Sequence, residues 1–206
     1  MAKFILVRHG QTEWNRVERF RGRVDVPLNE TGIRQAQAAA ERLAEMSISA
    51  VFSSPLSRAH KTAEIIALRL GLPVQVAEGL IDFNYGDWQG LSPEEAAANY
   101  PEIYPQWLDS PDKARIPGGE SLDDVRSRAM DAILELAVRF PDQTVVLVSH
   151  KVVCKIVMLA LLGADNARFW AVEQDNAAIN VFECGERGVF IVLTMNDTCH
   201  LEGGAL

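Results

Sequence analysis

Cysteine is scarce and poorly placed for cross-linking: Cys154, Cys184 and Cys199 are the only three in 206 residues, and no two form a CxxC pair. This excludes a disulfide framework and a cysteine-based metal site, and it fits a reducing, cytoplasmic compartment. No apolar run approaches the ~18 residues of a membrane span. The opening MAKFILVRHG has an apolar stretch too short for a signal-peptide core, so no membrane partner is expected. Positive charge is in deficit, with 20 Lys and Arg against 28 Asp and Glu and a formal net charge of -8. Such a chain does not grip nucleic acid through bulk charge. A small anionic ligand is compatible with it only where cations gather locally, so the placement of the arginines is informative. What is present, 48% hydrophobic and 23% charged residues, suffices for a real core, read as a single domain over 1–206 with one decorating insertion.

Short apolar runs at Phe4 to Val7, Ala50 to Phe52 and Val145 to Val148 read as buried strands, with a weaker one at Val74 to Ala77. Helical patterns lie between them. Gly32 to Ala44 places Ile33, Ala36, Ala40 and Leu43 at helical spacing, and Ser57 to Leu70 does so with Ala59, Ala63, Ile66, Ala67 and Leu70. Ser92-Pro93-Glu94-Glu95 is a capped helix start, Ser121 with Asp124 opens another helix running to about Phe140, and Lys151 to Leu162 follows the third strong strand and stops at Gly163. Ile179 to Glu183 and Val189 to Thr194 flank Cys184-Gly185-Glu186-Arg187-Gly188 as a β-hairpin at the sheet edge. The expectation is a three-layer α/β/α sandwich with a mostly parallel central sheet and an antiparallel C-terminal edge. The stretch from about 80 to 119 gathers Pro93, Pro101, Pro105, Pro111, Pro117, Gly118 and Gly119, and reads as a lid-like insertion over one end of the sheet.

The polar residues fall where such a sheet binds ligands, beyond the carboxyl ends of its strands. Arg8-His9 ends the first strand, Arg58 follows the second and Ser149-His150 ends the third. Central strands would bring two imidazoles and two guanidinium groups into one pocket. Taken singly, each histidine reads most simply as a hydrogen-bonding strand-end residue and each arginine as a solvated surface group; the joint placement does not. Guanidinium forks match phosphate oxygens, helix N-termini add N–H groups, and a neutral imidazole held so by nearby cations can attack phosphorus. The chemistry supported is phosphoryl transfer, with no metal or other cofactor required.

Leu6-Val7-Arg8-His9-Gly10-Gln11-Thr12-Glu13-Trp14-Asn15 resembles the signature of the histidine phosphatase superfamily, the phosphoglycerate mutase-like fold. The resemblance continues through Asp25-Val26-Pro27-Leu28 with Thr31-Gly32, Ser53-Ser54-Pro55-Leu56-Ser57-Arg58-Ala59 with Thr62-Ala63, Gly86-Asp87-Trp88-Gln89-Gly90, Gly118-Gly119-Glu120-Ser121 and Val148-Ser149-His150. It implies that His9 is the phosphorylated nucleophile, that Arg8, Arg58 and His150 bind the phosphate, and that Asn15 and Thr12 lie at the same pocket. The family's proton donor falls on Asp82, one methylene shorter than the usual glutamate; Glu78 is the rival. Burial and a neighbouring phosphate dianion would help Asp82 keep its proton.

Further departures mark substrate-binding candidates. Arg21, before Gly22, stands where relatives carry a smaller or amide residue, and faces either a second acidic group of the substrate or solvent. Lys151 stands where many relatives have glycine. His60 is taken as a surface residue. The tail Asn196 to Leu201 is similar to that of metal-independent phosphoserine phosphatases, which makes His200 a candidate for substrate recognition, against a frayed surface histidine. The short stretch from Trp88 to Glu120 favours hydrolysis over a cofactor-dependent phosphoglycerate mutase. Phosphoserine, phosphosugars and other small phosphorylated metabolites are the expected substrates. A catalytically weak module binding a phosphorylated ligand is the alternative of another class, and a homodimer is compatible with the chain.

Overall fold

The computed structural model describes residues 1–185 and 188–201. Six strands form one sheet in the order β3-β2-β4-β1-β5-β6: β1 is Ala2–Arg8, β2 Ala50–Ser53, β3 Val74–Val76, β4 Thr144–Ser149, β5 Ile179–Cys184 and β6 Phe190–Asp197. The first four are parallel, while β5 runs antiparallel to β1 and β6 antiparallel to β5. The expected mostly parallel sheet with an antiparallel C-terminal edge is what forms. Of the expected hairpin turn, Glu186 and Arg187 lie outside the described residues.

Strand alternation divides the core. Ile5, Val7, Val51, Val146 and Val148 face one side. There they meet Ala39, Ala40 and Leu43 of α2 (Glu30–Leu43) and Ala59, Ala63 and Ile66 of α3 (Ser57–Leu70). Phe4, Leu6, Phe52, Val145 and Leu147 face the other. These pack under Val125, Ala129 and Ile133 of α6 (Leu122–Arg139) and Val153, Ile156 and Val157 of α7 (Lys151–Leu161). The small alanines of α2 and α3 let both helices sit close to the sheet and to each other. Of the positions expected on their inner faces, Ile33 is exposed and Leu70 only half-buried. The first helix starts two residues before Gly32 because the Asn29 side chain caps it, accepting from the Gly32 N–H at 2.9 Å.

Two short helices were not expected. The first, α1 (Glu13–Arg16), opens on a reciprocal cap between Thr12 and Asn15. In the 80–119 stretch, α4 (Pro93–Asn99) has the anticipated Ser92 cap, but α5 (Ile103–Asp109) carries Pro105 within its first turn, where the ring costs no hydrogen bond. Aromatic rings fasten this stretch. Trp88 and Trp107 are buried, with Trp107 5.7 Å from Phe83 and 5.3 Å from Phe169 by ring centroids. Among the described residues no helix is long and apolar enough to cross a membrane.

The parallel register places Arg8 opposite Ser149, at the carboxyl ends of adjacent central strands. The chain leaving β1 crosses the start of α2 so closely that only glycine fits. A Cβ on Gly10 would lie 2.3 Å from the Gly32 carbonyl oxygen, and one on Gly32 2.1 Å from that of Gln11.

Candidate active site

Because β1 and β4 are neighbours, His9 and His150 emerge side by side, their ring centroids 5.1 Å apart and both fully buried. His9 Nδ1 donates to the Gly10 carbonyl at 2.6 Å. That fixes the tautomer and leaves a lone pair on Nε2, which is buried with no hydrogen-bond partner among the described residues. Burial foremost, then His150, Arg58 and Arg8, holds His9 well below its ordinary pKa, so the ring is neutral. His150 is held down likewise, by burial and then by Arg58 and Arg21. Its Nε2 lies 2.7 Å from Ser54 Oγ, and Nδ1 faces the Asp82 carboxylate at 3.5 Å.

The two arginines are fixed by backbone carbonyls. Arg58, fully buried on the first turn of α3, donates to Val24 O at 2.9 Å and Gly22 O at 2.6 Å, and to Asp82 Oδ2 at 2.9 Å. Gly22 holds the left-handed φ of 52° that lets its carbonyl turn inward, and a Cβ there would strike Gln89 Oε1 at 2.4 Å. Arg8 donates to Gln174 O at 2.6 Å. Gln174 is locked in turn by paired amide bonds to Asn180, which also donates to Leu6 O at 3.0 Å. Burial, then Arg21, lowers the Arg8 pKa to about 10, leaving it charged at neutral pH. Each arginine keeps a buried Nε with no hydrogen-bond partner among the described residues, so both retain donor capacity.

Asp82 is 4% exposed, and its Oδ1 accepts from the Phe83 N–H at 2.8 Å. Its loop is clamped from α6. Arg128 donates to Gly79 O at 2.8 Å, Ile81 O at 2.6 Å and Asp82 O at 3.2 Å. Glu120 braces Arg128 at 3.0 Å while also accepting from Asn84 N at 2.9 Å and Arg23 at 2.8 Å. Glu78, the rival acid, is exposed. A cavity of about 350 Å³ opens beyond Asp82, walled in part by Arg21, Gly22, Asp82, Tyr85, Lys151 and Trp170. A larger groove of about 430 Å³, between β6 and α2, holds none of the candidate residues.

Two neutral imidazoles, two fixed guanidinium groups with unpartnered Nε donors and the Asp82 carboxyl are therefore gathered at the carboxyl ends of the central strands, next to a cavity that Asp82 helps to wall. The order of these residues along the chain matches one known family over residues 4–198. The chain belongs to the histidine phosphatase superfamily, branch 1. It is 40% identical to phosphoserine phosphatase 1 of Hydrogenobacter thermophilus over 98% of this chain and 95% of that one. The solved structure of Bacillus stearothermophilus YhfR superposes with a TM-score of 0.94 at 29% identity, covering 98% of this chain and all of that one. A mycobacterial glucosyl-3-phosphoglycerate phosphatase, solved with vanadate, gives 0.87 at 32% identity over 95% of this chain and 99% of that one. The first and third of these relatives are named as phosphatases, and they favour hydrolysis over the mutase alternative.

Within this histidine phosphatase the remaining candidates fall unequally. Thr12 is fully buried, and its N–H and hydroxyl both donate to Asn15 Oδ1 at 2.9 Å; that oxygen lies 3.5 Å from the Asn176 amide, which reaches the His9 carbonyl at 3.3 Å. These two therefore brace the loop carrying His9. Arg21 and Lys151 reach the cavity wall, Lys151 paired with Glu173 at 2.5 Å. His200 lies in a turn, Cys199–Leu201, packed on α2, with Asp197, the Ala177 backbone and Arg42 as neighbours, and Ala177 N in turn donates to the His9 carbonyl at 3.3 Å. His60 is at the surface, 3.6 Å from Glu64. The sequence reading missed Gln174, Asn176, Asn180 and Arg128. Asn180 had a signal, an amide in the middle of an otherwise apolar strand.

Proposed function

We propose that this phosphatase hydrolyses a small phosphate monoester in two steps through a phosphohistidine on His9. The observation that carries the reading is the buried, unpartnered His9 Nε2 lone pair among Arg8, Arg58 and His150. The phosphoryl oxygens take the free donors of Arg8, Arg58 and the His150 ring, while Nε2 attacks phosphorus. The ester P–O bond breaks, and its electron pair stays on the ester oxygen. That oxygen takes the proton of the Asp82 carboxyl and leaves as the alcohol. A proton on Asp82 also removes the like-charge conflict between its carboxylate and the phosphate on the shared Arg58. Water then gives a proton to the Asp82 carboxylate and attacks phosphorus. The N–P bond breaks, releasing inorganic phosphate and the neutral imidazole.

The 80–119 segment acts in this reading as a lid that walls the cavity and limits water to the second step. Phosphoserine and phosphorylated sugar acids, the substrates in the names of the relatives, are the substrate class that fits. The unpaired, buried thiols of Cys154 and Cys184 suit a reducing, cytoplasmic setting, and burial pushes the Cys154 thiol up to about 12, which keeps it unreactive. The test is turnover of p-nitrophenyl phosphate in EDTA. Full activity that disappears in His9→Ala supports the reading; His9→Ala turning over like the parent overturns it.

A further inference from the structure

The two edges of the sheet are finished differently. At one, β3 is three residues long, Val74–Val76, and offers little backbone to a further strand. At the other, β6 runs for eight residues, Phe190–Asp197, the longest strand of the six, and among the described residues only β5 pairs with it. From Phe190 to Asn196 it holds neither proline nor a charged side chain, the groups that ordinarily keep such an edge from pairing. Phe190 and Val192 pack against the core on the α6–α7 side. Ile191, Leu193 and Met195 are instead 44%, 49% and 45% exposed. A register shift between Val181 and Phe182 takes Leu193 out of strict alternation, so that it and Thr194 together wall the groove of about 430 Å³ beside α2. The charges around that groove cancel. Lys3 lies 3.9 Å from Glu183, and Arg42 and Asp197 line the groove within electrostatic reach of one another. A chain with a formal charge of -8 is repelled on average by its own copy, and this neutral strip is a place where two copies meet without that cost.

We infer that β6 is the contact between two copies of this chain, paired edge to edge about a twofold axis, so that their two six-stranded sheets become one. A twofold axis perpendicular to a strand reverses it, and the two copies of β6 are then antiparallel. The exposed residues are evenly spaced about Leu193, so the reversed strand presents the same pattern, and Ile191, Leu193 and Met195 of one copy meet the same set from the other. Backbone groups on the open side of β6 gain partners, and apolar side chains pair across the axis instead of facing water. This match of the strip to its own reverse, together with its neutrality, favours a second copy over an unlike partner. The groove and the cavity beyond Asp82 share no lining residue, so the pairing leaves that cavity open. The inference does not depend on the reaction at His9.

The experiment measures mass in solution by light scattering over a dilution series. The full chain should weigh twice its 22.7 kDa. The double variant Ile191→Lys, Leu193→Lys should weigh as a monomer, because lysine on an edge strand blocks pairing. Its circular dichroism and its turnover of p-nitrophenyl phosphate per chain should stay at the level of the parent. A parent that is monomeric at every concentration overturns the inference, and so does a dimer whose mass the double variant leaves unchanged. Amide hydrogen exchange on the parent keeps the test decisive where the variant does not fold. Amides from Phe190 to Met195 should be protected wherever the mass is that of the dimer and should lose protection where dilution yields the monomer. Fast exchange of these amides in a dimer overturns the assignment of β6. Equal protection in a monomer overturns it too, by placing the cover of β6 within the chain itself.

Discussion

At the scale of the residue, the proposed reaction depends on keeping two buried imidazoles neutral. His9 and His150 are both held well below the ordinary 6.5 by burial and by the surrounding arginines. In the unfolded chain they regain the ordinary value, so below about pH 6.5 the unfolded state binds more protons. The contribution to stability is thus fully present above that pH and is lost as pH falls toward the folded values, by up to about 1.4 kcal/mol per pH unit for each histidine. Urea midpoints should therefore drop steeply between pH 7 and 5 in the parent and less steeply in a His9→Asn, His150→Asn double variant; parallel curves would contradict the account. Asp82→Asn should reduce turnover of alkyl phosphates about a hundredfold more than that of p-nitrophenyl phosphate, whose leaving group needs less protonation. Equal losses would remove Asp82 from the role of acid. Residues such as His9, Arg58 and His150 were legible because a strand end or a first helical turn announces where their side chains go. The supports of Arg8 were not. Gln174 holds it through a backbone carbonyl, 166 residues away in the chain, and such a contact leaves no local pattern.

At the scale of the element, the four central strands and four long helices follow from apolar runs and caps that are local, and they form within a few residues of where periodicity puts them. The site arises because β1 and β4 pair in parallel with Arg8 opposite Ser149, a register fixed by burial on both faces. The 80–119 stretch was harder to read. Its prolines mask α5, and its order comes from rings that meet only after folding, such as Trp107 against Phe169. The loop carrying Asp82 likewise takes its position from another element, through Arg128 on α6. Arg128→Ala should lower kcat on alkyl phosphates by about tenfold to a hundredfold while sparing p-nitrophenyl phosphate, the same signature as loss of the acid. Arg128→Lys, which keeps a donor, should recover part of the loss. A fall in stability with no change in the ratio of the two substrates would reduce Arg128 to a structural brace.

At the scale of the whole molecule, a chain with a formal charge of -8 concentrates positive charge at one end of its sheet. Arg8 and Arg58 are buried there beside the His9 and His150 imidazoles, with Arg21 in the adjoining cavity wall. The tail is tied to the same end of the molecule: His200 lies against the Ala177 backbone, whose N–H donates to the His9 carbonyl. The account as a whole requires two successive displacements at phosphorus, the first by His9 and the second by water. The most direct test is the stereochemical course of hydrolysis of a monoester made chiral at phosphorus with oxygen isotopes. Two in-line displacements predict net retention of configuration; net inversion would show that water attacks the substrate directly and would contradict a phosphoryl group on His9.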